Sequence, residues 1–198
     1  MEHIKKDRIE VHAENIAKGD NRFCGDSYFF HHTDEYFICV LADGLGSGEF
    51  AFDSSSAVAK VVQDYHDQDV ESLMNLCNKA LENKRGAAVS ILKVYYESQE
   101  FVYSCVGNIR FYLYSPDGKM TYPLPITGFL SGRPQAIRVQ RFPYLPNSRF
   151  LIHSDGLVIS GTKSLLQTDY SIDEIKDNIN LHIDNKKDDT TYIIGGLL

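Results

Sequence analysis

Apolar positions along this chain follow two rhythms, one of alternation or short runs and one at helical spacing. Residues 9–19, IEVHAENIAKG, read as a first strand running into a polar turn. SYFFHH (27–32) and EYFICVLAD (35–43) read as a hairpin across Thr33-Asp34. After LGSG the period lengthens, and AFDSSSAVAKVVQDYH carries small and apolar residues at helical spacing. In DVESLMNLCNKALENK, Asp69 is placed to cap a helix whose Val70, Leu73, Met74, Cys77 and Leu81 share one face. That stripe reads as core, not as a binding groove. GAAVSILKVYYES, EFVYSCVG and IRFYLYSPDGKMTYPLP return to three or four strands, with Pro116-Asp117-Gly118 marking a turn. Residues 126–148, rich in Gly, Pro and Arg, read as an irregular excursion holding one strand. RFLIHSDGL follows as a buried strand. SIDEIKDNINLHI is an amphipathic helix with Ser171 and Glu174 spaced for a capping box, and TTYIIGGLL closes the chain as a strand.

No repeat, linker or low-complexity segment interrupts this order, so residues 1–198 are expected to form one domain. Its class is α+β, with strands and helices in layers. A hydrophobic content of 43% suffices for a sizeable core. The formal net charge is -7, and basic residues such as Lys5-Lys6 cluster no further than pairs. Both facts argue against a nucleic-acid footprint. No apolar run approaches the roughly 18–20 residues that span a bilayer, and MEHIKKDRIE lacks the apolar region of a secretory signal. A cytoplasmic chain with no membrane contact is expected. Cys24, Cys39, Cys77 and Cys105 are never spaced as CxxC, which suits reduced thiols; Cys39 and Cys105 lie in apolar stretches and pack as hydrophobes. The seven histidines are scattered, and no grouping of Cys or His is spaced for zinc. With no coiled coil or long apolar surface in view, the expected state is a monomer.

Four aspartates stand at the tips of separate apolar segments: Asp26 in CGDSYFF, Asp43 in CVLADGLGSG, Asp155 in FLIHSDGL and Asp188 in KKDDTTYII. A single Asp-Gly is a common turn, and Asp117-Gly118 is only that. Asp43-Gly44 and Asp155-Gly156 differ, because VLAD and LIHSD carry their carboxylates directly off apolar strands. Four such groups gathered by folding would make an oxygen cage for a hard divalent cation.

The ordered set GD, ADGxGSG, VGN, SDG, DDT resembles the metal-dependent protein phosphatases of the type 2C (PPM) class, across residues 21–198. NKRGAAVSILK, YPLPITGFLSGRPQ, KKDDTTYIIG and the short length are similar, within that class, to the stressosome feedback phosphatases. The resemblance implies a β-sandwich flanked by α-helices, with two Mn²⁺ or Mg²⁺ ions at one edge. Carried onto this sequence, Asp43 would bridge the ions and Gly44 would lend its backbone carbonyl. Asp26 would serve the first side, Asp155 and Asp188 the second. The implied reaction is hydrolysis of phosphoserine or phosphothreonine on a protein by water that the metals activate, with no side-chain nucleophile. No cysteine sits in a Cys-x5-Arg phosphate loop. The implied partners are phosphorylated STAS-domain proteins of the stressosome, whose dephosphorylation would restrain the general-stress sigma factor.

Three positions depart from the class. Leu45 stands where many members carry His, a candidate general acid. A positioned acid contributes on the order of 10²–10⁴-fold, so a modest turnover is expected. Asn108 in VGNIR replaces an acidic residue, which weakens the case for a third metal, and Gly25-Asp26 replaces Glu-Asp. Arg22 is the sole candidate near the first motif for the phosphate-binding arginine of the class, its register off by one; a surface arginine is the competing reading. Gly46 and Gly48 permit the backbone to start the next helix, whose N-terminus beside the metals would favour an anion. These departures motivate an alternative, a catalytically weak or inactive phosphatase-fold regulator that binds phosphoproteins. Retention of all four aspartates argues against it.

Overall fold

In the computed structural model, residues 2–19, 21–167, 170–184 and 187–198 are described. The elements in chain order are β1 (Glu2–Lys6), β2 (Ile9–Ile16), β3 (Asp26–His32), β4 (Tyr36–Gly44), α1 (Glu49–Tyr65), α2 (Val70–Ala80), β5 (Ala87–Tyr95) and β6 (Glu100–Val106). They continue with β7 (Arg110–Tyr114), β8 (Met120–Thr121), β9 (Gln140–Pro143), β10 (Ser148–His153), α3 (Thr162–Gln167), α4 (Ile172–Asn180) and β11 (Thr190–Leu197). One sheet has the order β1-β2-β11-β10-β7-β8, the other β3-β4-β5-β6-β9, and every pairing within them is antiparallel.

Three apolar layers hold the sheets and helices together. Between the sheets, Ile9, Val11, Phe37, Cys39, Leu41, Phe111, Phe150 and Ile193 interlock. On the outer face of the second sheet, Ile38, Val40, Ala42, Val89 and Ile91 meet Val58 and Val62 of α1 and Leu73, Met74 and Cys77 of α2. On the outer face of the first, Leu151, Tyr192 and Ile194 meet Leu166, Ile175 and Ile179. The continuous run FICVLA in β4 follows from this arrangement: one set of alternate side chains faces the other sheet and the next set faces helices. Asp69 caps α2 by accepting from the Ser72 amide, and Ser171 and Glu174 form the expected capping box on α4.

Two elements lie outside the sequence-based expectation. β1 precedes the expected first strand and holds a single part-buried apolar residue, Ile4, so its strand state comes from pairing with β2 and not from its own pattern. The six-residue α3 buries only Leu166. The fold also buries a charge: Lys93, 2% exposed, donates from Nζ to the carbonyls of His66, Asp67 and Gln68 at 2.9, 3.0 and 2.7 Å. An ammonium there closes the C-terminal end of α1, where carbonyls lack helical partners and the dipole is negative. Among the described residues no helix is long and apolar enough to cross a membrane.

Candidate metal centre

The β3–β4 hairpin opens at the end away from its turn, and there Asp26 and Asp43 are direct cross-strand partners. Like charges placed opposite each other destabilise a ladder, so this pair needs a reason to persist. Gly44 follows with its amide donating to the Gly25 carbonyl at 3.1 Å. A Cβ on Gly44 would lie 2.0 Å from the Ala51 carbonyl oxygen, so glycine is required for α1 to sit against the strand end. Leu45 then donates to the Gly86 carbonyl at 2.9 Å, anchoring the loop to the start of β5.

The other two acids arrive from the opposite sheet. Asp155 lies two residues beyond β10, and Asp188 two residues before β11, its neighbour in the sheet. Ser154 and Thr191 join the two chain ends: the Ser154 amide donates to the Thr191 carbonyl, and the Thr191 amide to Ser154 Oγ, both at 2.9 Å. Gly156 packs so closely on the Asp189 carbonyl that a Cβ would meet it at 2.0 Å. Across the sandwich, Asn15 Nδ2 donates to the Asp26 carbonyl at 3.0 Å and to Thr191 Oγ1 at 2.8 Å. One amide side chain thereby ties the two sheets together beside the carboxylates.

Electrostatics record the convergence. Burial, followed by the charges of Asp26, Asp155 and Asp188 and a hydrogen bond shared with Asp26, pushes the Asp43 carboxyl up to about 8. Asp26 is pushed up to about 6, first by burial and then by Asp189 and Asp155, against hydrogen bonds from Ser154 and Thr191 that favour its charged form. Asp26 is 3% exposed, and its Oδ2 has no hydrogen-bond partner. Among the described residues no lysine or arginine forms an ion pair with Asp26, Asp43, Asp155 or Asp188. Uncompensated carboxylates are costly, and a divalent cation with oxygen ligands would satisfy them together. The donor set therefore fits a hard metal.

Neighbouring groups have separate tasks. Asp189, unlike the exposed Asp188, is buried and accepts from the Lys18 and Gly25 amides at 2.7 and 2.9 Å, so it fastens loops. Asn108 Nδ2 donates to Asp155 Oδ2 at 2.7 Å and orients it. Leu45 lines a cleft with Asp43, Asn108, Thr127, Gly128 and Phe129. His153 is no substitute acid: burial lowers it to about 4, and its ring stacks on Tyr112. Cys24, beside Asp26, is pushed up to about 12, first by burial, so its thiol stays protonated.

A family model described as Stage II sporulation protein E (SpoIIE) matches residues 33–194. The chain belongs to the SpoIIE family. It is 43% identical over 193 residues to phosphoserine phosphatase RsbX of Bacillus subtilis (strain 168), covering 98% of this chain and 97% of that protein. A crystal structure of RsbX in complex with magnesium matches it with a TM-score of 0.96 at 42% identity, covering 100% of this chain and 99% of the other. The PP2C phosphatase domain of SpoIIE from Bacillus subtilis shares the fold, with a TM-score of 0.79 at 14% identity over 96% of this chain and 63% of that one. The α+β sandwich expected from the motif order is the fold found.

In this member of the SpoIIE family, the cations near the site divide unevenly. Arg22 is exposed and lies over the Phe23 ring at 5.4 Å; none of its described contacts reaches the four acids. Arg85 was not singled out from the sequence. Its guanidinium leans on the loop after Asp43, where a Cβ on Gly46 would meet Nη1 at 2.5 Å, and it lies over Phe50 at 4.8 Å. A groove lined by Lys84, Arg85 and Arg133, with Glu82 among them, shares Gly128 and Phe129 with the cleft at Asp43. The sequence signals for Arg85 were its place in the family-like stretch NKRGAAVSILK and next to the apolar start of β5.

Proposed function

We propose that this chain is a Mg²⁺- or Mn²⁺-dependent protein phosphatase that hydrolyses phosphoserine or phosphothreonine on partner proteins, with Asp26, Asp43, Asp155 and Asp188 as its working carboxylates. The observation that carries this reading is the gathering of those four acids at one end of the sandwich, where burial, and then the charges of Asp26, Asp155 and Asp188, raise Asp43, and no lysine or arginine among the described residues pairs with them. The likeness to RsbX, a protein named as a phosphoserine phosphatase and crystallised with magnesium, supports the same reading.

Asp43 would hold both ions and Gly44 would contribute its carbonyl; Asp26 would serve one side, Asp155 and Asp188 the other. When bound, such ions supply positive charge to the phosphoryl oxygens and make water more acidic. The chain's own residues do the positioning. The close packing of Gly44 under Ala51 fixes the strand end, Asn108 holds Asp155, and Asp189 locks the loops that carry Asp26 and Asp188. Leu45 and Phe129 give the cleft an apolar wall. For the substrate phosphate, Arg85 is better placed than Arg22, because it leans on the loop that leaves Asp43.

We further infer, from the resemblance of the motif set, phosphorylated STAS-domain proteins of the stressosome as substrates, feedback on the general-stress sigma factor as the role, and a monomer working in the cytoplasm as the setting. Incubation with such phosphoproteins across a Mg²⁺ and Mn²⁺ series, followed by mass spectrometry of the phosphosites, tests it. Metal-dependent loss of phosphate that disappears in Asp43→Asn is expected. Phosphate release that is indifferent to metal, or unchanged in that variant, refutes it.

A further inference from the structure

A second group of metal-capable side chains lies at the other end of β2, on the face that meets α4. His3 and His12 are cross-strand partners in the β1–β2 ladder, and their rings stack with centroids 3.8 Å apart and planes 9° from parallel. Glu10, two residues before His12 and on the same face, brings Oε1 to 3.4 Å from His3 Nε2. Asp173, in the first turn of α4, brings Oδ1 to 3.2 Å from His12 Nε2. Ligand atoms of His3, Glu10 and His12 all lie within 4.8 Å of one another.

His12 is 3% exposed, yet neither of its ring nitrogens makes a hydrogen bond; Asp173 approaches closely but off the hydrogen-bond line. A buried imidazole with both nitrogens unmatched costs on the order of 1–3 kcal/mol per unmet group, so the cluster is incomplete as it stands. Burial also lowers the proton affinity of His12, leaving a lone pair available near neutrality. Zinc with bonds of about 2.0 Å in a tetrahedron sets neighbouring ligands about 3.3 Å apart. The His3–Glu10 and His12–Asp173 separations match that spacing, but the stacked rings point their lone pairs in parallel, so His3 must swing out of the stack before both imidazoles reach one ion. Two imidazoles with carboxylates select a borderline transition metal over Mg²⁺, which prefers an all-oxygen shell.

We propose that His3, Glu10 and His12, closed by Asp173, form a zinc-type site that clamps the β1–β2 edge to α4. The site is separate from the aspartate cluster. His12 pairs with Ile194, six residues along the chain from Asp188, or roughly 20 Å at strand rise. Sequence spacing concealed it, because His3 and His12 are brought together only by strand pairing. Two lysines hold the carboxylates: Lys5 bonds Glu10 at 3.1 and 3.2 Å, and Lys176 lies 3.7 Å from Asp173. Zinc must displace the Lys5 ammonium from Glu10.

The test is calorimetric titration of Zn²⁺ into the full chain in saturating Mg²⁺, repeated with Co²⁺ to read the intense visible absorption of tetrahedral coordination. The Asp43→Asn variant serves as a background in which the aspartate cluster competes less. One equivalent of Zn²⁺ retained in that background is expected. His3→Ala, on the exposed edge strand, should weaken binding by about tenfold or more, whereas Lys5→Ala should tighten it by freeing Glu10. His12→Ala would delete a core contact as well, so His3→Ala and Lys5→Ala decide the matter. Zinc binding that His3→Ala leaves unchanged, no binding beyond the aspartate cluster, or a weak octahedral cobalt spectrum overturns the proposal.

Discussion

Replacing Asp43 by Asn should make the metal-free protein more stable while removing its response to metal. The folded protein holds the Asp43 proton more tightly than the unfolded chain does, since the group is pushed from 3.8 up to about 8. Its contribution to stability is therefore fully present below about pH 4 and lost as the pH rises through about 8. Because pH 7 lies about three units above the ordinary value of the group, at about 1.4 kcal/mol per unit the ceiling on the penalty there is about 4 kcal/mol. Asp43 is only part-buried, and solvent screening reduces this to about 2 kcal/mol. For a domain of this size, melting shifts by roughly 2–4 °C per kcal/mol. In EDTA at pH 7, Asp43→Asn should therefore melt about 4–8 °C above the parent, and the gap should close as the pH is lowered toward 4. Added Mg²⁺ or Mn²⁺ should raise the melting temperature of the parent and leave the variant where it was. A variant that melts at or below the parent in EDTA at pH 7 would falsify the argument, because burial and the neighbouring acids would then not be raising Asp43.

Other perturbations probe the supports of the site. Asn108→Ala removes the 2.7 Å hydrogen bond to Asp155; a cost of about 1 kcal/mol should appear as a several-fold rise in the metal concentration giving half-maximal phosphatase activity. Arg85→Ala should raise KM for an aryl phosphate more than it lowers kcat, with partial recovery in Arg85→Lys; an unchanged KM would place the guanidinium outside phosphate recognition. Gly44→Ala puts a methyl 2.0 Å from the Ala51 carbonyl, so α1 must move, and thermal melting should show a lower midpoint together with a blunted metal response. Lys93→Met leaves the carbonyls of His66, Asp67 and Gln68 without their donor and should cost about 2–3 kcal/mol in urea denaturation; parent-like stability would show that those carbonyls find other donors.

Interactions with short reach were legible in the chain. Asp69 and Ser171 cap helices through residues three positions away, and Val70, Leu73, Met74 and Cys77 fall on one face by helical period alone. The four strand-tip aspartates could be nominated because each sits in its own local phrase of apolar run and turn. Between the adjacent acids Asp188 and Asp189, it was the family resemblance that singled out Asp188; local pattern treats the two alike. Only folding buries the second against the Lys18 and Gly25 amides and leaves the first exposed. β1 was missed because one apolar residue in five makes no pattern, and its strand state is supplied by β2. Arg85 and the His3–His12 pair were invisible for the same reason: their partners are set by strand register and loop packing. By itself the sequence determined the periodicities, the caps and the candidate acids, because those depend on neighbours within a few residues. Tertiary structure alone decided who stands beside whom, because charge repulsion, burial and metal affinity act through space between groups that the chain keeps far apart.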